Sequence, residues 1–169
     1  LEQTGAALTM AETVLKWVGA KRPALAMSII GYITSIPVFC DSGFVILSAL
    51  NKSLSKKSGV SMAVMATALS TGLYATHTLV PPTPGPIAAA NNLHADLGMV
   101  ILIGLIVAIP VTIAGYLWAT KFASQYEVIA ETSVSYEELL EKFKTLPSAF
   151  SAFTPRVLPI VLIRLASVA

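Results

Sequence analysis

Apolar positions along this chain fall into long helical runs, and polar breaks separate them. In residues 1–20, LEQTGAALTMAETVLKWVGA, the residues Leu8, Ala11, Leu15 and Val18 share one helical stripe, while Glu2, Glu12 and Lys16 keep the stretch from being a clean membrane span. Residues 1–22 therefore read as an amphipathic interfacial helix or as the end of a preceding membrane helix. Residues 23–50 run apolar without a basic residue, broken by Pro37 and by Asp41-Ser42-Gly43. Polar NKSLSKKSG leads into apolar 60–80, and then come PPTPGP at 81–86, three alanines and NNLHAD. Residues 60–96 thus predict a membrane helix broken at the proline block. The strongest span is 97–118, LGMVILIGLIVAIPVTIAGYLW, with Pro110 inside it. Residues 119–156 are charged and amphipathic and predict a cytoplasmic loop, with a short helix starting near Ser135. Residues 157–169 begin another membrane helix. The fold class expected is all-α and polytopic.

The 23–50 stretch admits two geometries. As one straight helix it would be about 42 Å long at 1.5 Å per residue, against a hydrocarbon core of about 30 Å. Pro37 and the Asp-Ser-Gly triplet also interrupt it. The alternative is a re-entrant hairpin, with one arm from Pro23 to about Ile36, a tip at 37–43 and a return arm to Leu50. Irregular backbone at that depth needs protein or a polar cavity around it. Charge favours the hairpin: it brings Lys21 and Arg22 to the same side as Lys52, Lys56 and Lys57. Two further crossings then return Lys121, Lys142, Lys144 and Arg156 to that side, as the positive-inside rule expects.

Composition agrees with a bilayer. Of 169 residues, 55% are hydrophobic and only 12% charged, about half the charged fraction of a soluble domain. The net charge of +2, without a dense basic run, excludes a nucleic-acid partner. A single cysteine, Cys40, leaves no intrachain disulfide and no cysteine-based metal site, and it reads as a packing residue. The closing apolar run of 13 residues, VLPIVLIRLASVA, falls short of the roughly 20 that span a bilayer, so the sequence reads as a segment of a longer membrane protein.

Few residues can carry chemistry. Asp41 is an acid within an apolar run, where insertion costs about 2.5–3.5 kcal/mol, so it should face a cavity or a partner. It can bind a coupling ion, carry a proton, orient a substrate hydroxyl, or cap the arm that follows. His77 closes an apolar run in ATHTLVPPTPGP; it can pair with a carboxylate, or bond a carbonyl freed by the proline break. The proline block can start a short helix at Pro86 whose N-terminus would favour an anion, or it can be an ordinary loop. Ala68, Gly72 and Thr76 form a small-residue stripe of the kind that brings helices close. His94 and Asp96 read as an exposed turn, and no metal site is expected.

Three stretches, GYITSIPVFCDSGFVIL, THTLVPPTPGPIAAANNLHADLG and GLIVAIPVTIAG, resemble the gluconate permease family of bacterial gluconate:proton symporters. The likeness runs from about Gly5 to Tyr116 and corresponds to part of the N-terminal half of much longer proteins. It implies a multi-pass protein of the bacterial inner membrane, half of an inverted-repeat transporter, that takes up gluconate or a related hydroxy-carboxylate with protons as coupling ion and no other cofactor. The hairpin tip around Pro37–Gly43, with Asp41 and Ser42, and the break around Thr76–Pro86 would then meet to form half of the site. His77, Thr78, Thr83 and the backbone N–H groups after Gly85 would hold the carboxylate. Membrane lipid and a second copy in a homodimer are the other partners expected. An anion channel, or a carrier of another acid such as glycerate, is the alternative. No nucleophile, metal or acid–base pair suggests an enzyme.

Overall fold

The computed structural model describes residues 6–19, 21–36, 38–131 and 136–142, with residues 148, 150–152, 154, 158 and 162 beyond them. The expected start of a helix at 157–169, Pro37, Lys144 and Arg156 lie largely or wholly outside the described residues. Seven α-helices follow in order among those described: α1 (Ala6–Val18), α2 (Pro23–Thr34), α3 (Cys40–Ser58), α4 (Met62–Leu79), α5 (Pro84–Asn92), α6 (Leu97–Lys121) and α7 (Tyr136–Lys142), with a 3-10 turn at Ala123–Gln125 after α6.

Local chemistry sets most of these boundaries. Pro23 and Pro84 open α2 and α5, where the missing N–H costs nothing and the fixed φ suits a helix. Ser61 caps α4 by accepting from the Ala63 N–H at 3.2 Å, and Asp96 caps α6 by accepting from Met99 N–H at 2.7 Å. Gly59, at φ +71°, closes α3 in the left-handed conformation and returns its N–H to the Ser55 carbonyl at 2.9 Å.

Boundaries differ from the sequence expectation at α5, which opens at Pro84 rather than at Pro86, and at both ends of α3. The break between α2 and α3 occupies residues 35–39, so Asp41, Ser42 and Gly43 sit in the first turn of α3 rather than at a tip. α3 also continues eight residues past Leu50, through the stretch read as a polar linker. That extension is amphipathic: Asn51, Ser53, Leu54 and Ser55 are buried, while Lys52, Lys56 and Lys57 face outward. The hydropathy of the stretch hid this alternation.

The core is a seam of α2, α4 and α6 closed by small residues. α2 and α4 run in the same direction: Ser28 Oγ donates to the Ala68 carbonyl at 3.1 Å, and Thr76 Oγ1 donates to the Tyr32 carbonyl at 2.9 Å. Gly72 lies so close to α2 that a Cβ would strike the Ser28 carbonyl oxygen, and one on Gly31 would come within 2.7 Å of the Leu69 oxygen. α6 returns antiparallel to α4, with Gly104 against the Leu79 carbonyl and Gly115 against Thr71. Without a strong hydrophobic drive between helices in lipid, such close approach supplies the packing. The stripe Ala68, Gly72 and Thr76 is therefore the helix contact the sequence suggested. Tyr32 Oη donates to the Leu105 carbonyl at 2.7 Å, joining α2 to α6 five residues before Pro110. The helix continues through that proline to Lys121.

Gly72→Ala is expected to destabilise the fold, because its Cβ meets backbone that cannot swing aside; overpacking of this kind costs about 1–3 kcal/mol. Gly85→Ala, where nothing lies within 4 Å, should leave thermal unfolding of the detergent-purified protein unchanged. Equal melting temperatures for the two variants would contradict the seam.

α6 meets the requirements of a membrane span. The apolar helix Leu97–Gln125 has a mean hydropathy of 2.7 and only 28% of its most apolar window is buried, leaving Ile106, Val107, Ile113 and Leu117 exposed. At its end Trp118 stacks on Phe122 at 4.2 Å between ring centroids, with Lys121 beside Phe122, the composition of a membrane interface. After α6 the chain folds back. Ser61 Oγ donates to the Tyr126 carbonyl at 2.6 Å and accepts from Val128 N–H at 3.1 Å. α7 is described from Tyr136, in the stretch where a short helix is expected, and docks Tyr136 between α1 and α3. The Tyr136 ring lies 4.5 Å from Lys57 Nζ, and Lys57 pairs with Glu137 at 2.6 Å. Burial, reinforced by the Glu12 carboxylate beside it, pushes the Tyr136 hydroxyl up to about 12.

Candidate functional site

The far ends of α2, α3 and α4 meet where two helices break. Gly43 eases the approach: a Cβ there would sit 2.8 Å from Leu73 Cδ2, so any larger residue would require the leucine side chain to shift as the first turn of α3 closes on α4. A cleft of about 270 Å³ opens between them, lined by Cys40, Asp41, Phe44 and Val45 of α3 and by Ser70, Leu73 and Tyr74 of α4. Asp41 is exposed in it, and the Cys40 thiol donates to Asp41 Oδ1 at 3.8 Å. Phe39, not Asp41, occupies the cap position of α3. The carboxylate therefore complements the helix dipole from within the first turn and stays open to the cleft.

His77, in the last turn of α4, joins this cluster through rings. Its imidazole lies 5.7 Å from the Phe39 ring and 6.3 Å from the Tyr74 ring, edge-on to the latter. Nδ1 of His77 is buried with no hydrogen-bond partner. A buried N–H left unpaired is the costlier defect, so in the neutral imidazole the hydrogen belongs on Nε2, which makes His77 a donor.

The other expected residues divide. Ser42 is exposed on the same turn of α3 as Asp41. Thr78 is exposed, and its hydroxyl donates to the Tyr74 carbonyl at 2.8 Å. Thr83 is buried, and its hydroxyl donates to the Val80 carbonyl at 2.8 Å. Gly85 is exposed at the start of α5, but Pro84 and Pro86 flank it and carry no N–H. The first three residues of α5 therefore offer one backbone donor, at Gly85, rather than the cluster a helix N-terminus normally presents. Sequence reasoning missed Phe39, Ser70 and Tyr74. The signal was present for two of them: Ser70, Tyr74 and His77 follow the i, i+4, i+7 spacing of one helix face. Among the described residues no group of histidine, cysteine or acidic side chains could hold a metal ion. His94 at φ 50° and the capping Asp96 form the turn before α6.

Broken helices meeting at a cleft that holds an acid, beside an apolar helix long enough to cross a bilayer, are the parts of a polytopic membrane permease. The chain belongs to the GntP permease family, whose model matches residues 1–169. It is 38% identical over 172 residues to an uncharacterized permease of Haemophilus influenzae, covering 96% of this chain and 35% of the relative. It is 34% identical over 165 residues to a gluconate permease of Zymomonas mobilis, covering 96% of this chain and 37% of the relative. A D-serine transporter of Escherichia coli K12 is 32% identical over 172 residues, covering all of this chain and 38% of the relative. The chain thus spans little more than a third of the length of these curated relatives, which are named as permeases and transporters rather than enzymes. No solved structure matches it.

Proposed function

We propose that the segment is part of a secondary transporter of the bacterial inner membrane that moves gluconate or a related small hydroxy-carboxylate together with protons. The observation that carries this reading is the convergence of an exposed Asp41 carboxylate and the His77 imidazole on one aromatic cluster at two helix breaks. Asp41 takes up and releases the coupling proton. His77, supported by Gly85 N–H, holds the carboxylate. Breaks of this kind at the middle of a membrane recur in secondary transporters. The relatives named for gluconate and D-serine both carry hydroxylated carboxylates, which supports the substrate class.

α2 and α3 act as a re-entrant hairpin in this reading. At 12 residues α2 is about 18 Å long, too short to cross a core of about 30 Å. Support also comes from a single cleft lined by Gly19, Pro23, Lys57, Ser58 and Tyr136, since it holds the start of α2 and the end of α3 together. Single cysteines at positions 21 and 57 in a Cys40→Ala background are expected to react with an impermeant thiol reagent from the same, cytoplasmic side; reaction from opposite sides would rule out the hairpin.

The functional test is uptake of labelled gluconate and glycerate by cells or vesicles containing a permease of the relatives' full length that carries this segment. Accumulation should collapse with an uncoupler. Uptake insensitive to the proton gradient, or ionic currents far above carrier turnover, would favour the anion-pore alternative.

A further inference from the structure

The lining of the cleft beneath Asp41 is one-sided in charge. Its polar groups are the Asp41 carboxylate, the Cys40 thiol and the Ser70 and Tyr74 hydroxyls, and no cationic side chain lines it among the described residues. A carboxylate entering this space would meet a like charge with nothing to offset it. Hydroxyl groups would meet one strong acceptor and two donors. The volume, about 270 Å³, falls a little below the usual range for a whole small-molecule site and suits one end of a ligand.

The donor for the other end stands on the same helix face. Ser70, Tyr74 and His77 occupy successive turns of α4, and the seven residues from Ser70 to His77 rise about 10 Å along the axis. The carbon chain of an extended six-carbon acid, with five bonds of about 1.5 Å, covers roughly 6 Å, and its terminal oxygens extend it to about 8–9 Å. We propose that this face of α4 is a track that sets substrate orientation and length: the carboxylate lies at His77, and the distal hydroxyls enter the Asp41–Ser70–Tyr74 cleft. Ser70 and Tyr74 are then specificity residues that read the hydroxylated tail. The proposal rests on the transport reading above and adds to it the direction in which the substrate lies.

A three-carbon acid held at His77 is too short to reach Ser70. Equilibrium binding to the purified full-length permease carrying this segment separates the cases, with gluconate, glycerate and hexanoate as probes. In the unaltered protein, gluconate should bind more tightly than hexanoate, which has the same carbon count without hydroxyls. Ser70→Ala should weaken gluconate by about 3- to 10-fold, the loss of one hydrogen bond, and leave glycerate unchanged; Tyr74→Phe, whose ring lies beside His77, should weaken gluconate by a similar factor. Ser70→Thr, which keeps the hydroxyl, should restore part of the gluconate affinity. Equal weakening of gluconate and glycerate by Ser70→Ala, or no change for gluconate in both variants, would overturn the track while the transport reading stands. Gluconate binding no tighter than hexanoate in the unaltered protein would overturn the transport reading itself, and the track with it.

Discussion

An Asp41→Asn permease of full length is expected to exchange labelled acid across the membrane yet fail to concentrate it. The internal-to-external ratio should fall to unity under a proton gradient that drives the unaltered protein uphill. Asn preserves the size of the side chain and most of its hydrogen bonding but cannot titrate. Asp41 is suited to the role because its carboxylate opens on the cleft, with the Cys40 thiol as its near partner, while the cap position belongs to Phe39. An acid in an apolar run costs about 2.5–3.5 kcal/mol to insert, a cost that a purely structural helix start has no need to bear. Counterflow and uphill uptake measured on the same vesicles separate the outcomes. Normal accumulation by Asp41→Asn would leave the residue only its interaction with the helix dipole.

His77→Ala should weaken binding of the acid by about 10- to 150-fold, the range for losing one charge-assisted hydrogen bond of roughly 1.5–3 kcal/mol. The geometry of α5 raises the stakes on this side chain. With prolines on both sides of Gly85, the helix start supplies a single N–H, so the imidazole bears most of the interaction with the carboxylate. His77→Gln should recover part of the affinity if a neutral donor suffices, and little if imidazolium charge is required. A neutral analogue without the carboxylate should bind poorly to the unaltered protein and to His77→Ala alike. Unchanged affinity for the acid in a folded His77→Ala protein would assign the ring to packing between Phe39 and Tyr74.

Much of the scaffold was legible because its signals are local. Proline and the capping residues act within one turn of their own position, so the start of α2 and the existence of a break before α3 could be read from the chain, and the start of α5 to within two residues. The Ala68–Gly72–Thr76 stripe announced a close contact for a similar reason: a missing side chain is visible in sequence. The length of α3 was not legible, because burial of Asn51, Ser53 and Ser55 depends on neighbours distant along the chain. The cleft was half legible. Asp41 and His77 stand out as ionisable residues in apolar runs, whereas Ser70 and Tyr74 look like ordinary members of such a run until α3 is laid against them. Nothing in the sequence alone revealed that Thr83 spends its hydroxyl on the Val80 carbonyl.

The glycine seam also restricts how such a carrier can move. With Gly72 pressed on the Ser28 carbonyl and Gly104 on that of Leu79, α2, α4 and α6 have no clearance to slide past one another. Shear along these contacts would force backbone into backbone, and tightly packed interfaces switch between discrete states instead of deforming smoothly. In the transport reading proposed above, the three helices would travel as one rigid body, and the exposure of the cleft to either side of the membrane would change at their outer surface, where this block meets its surroundings.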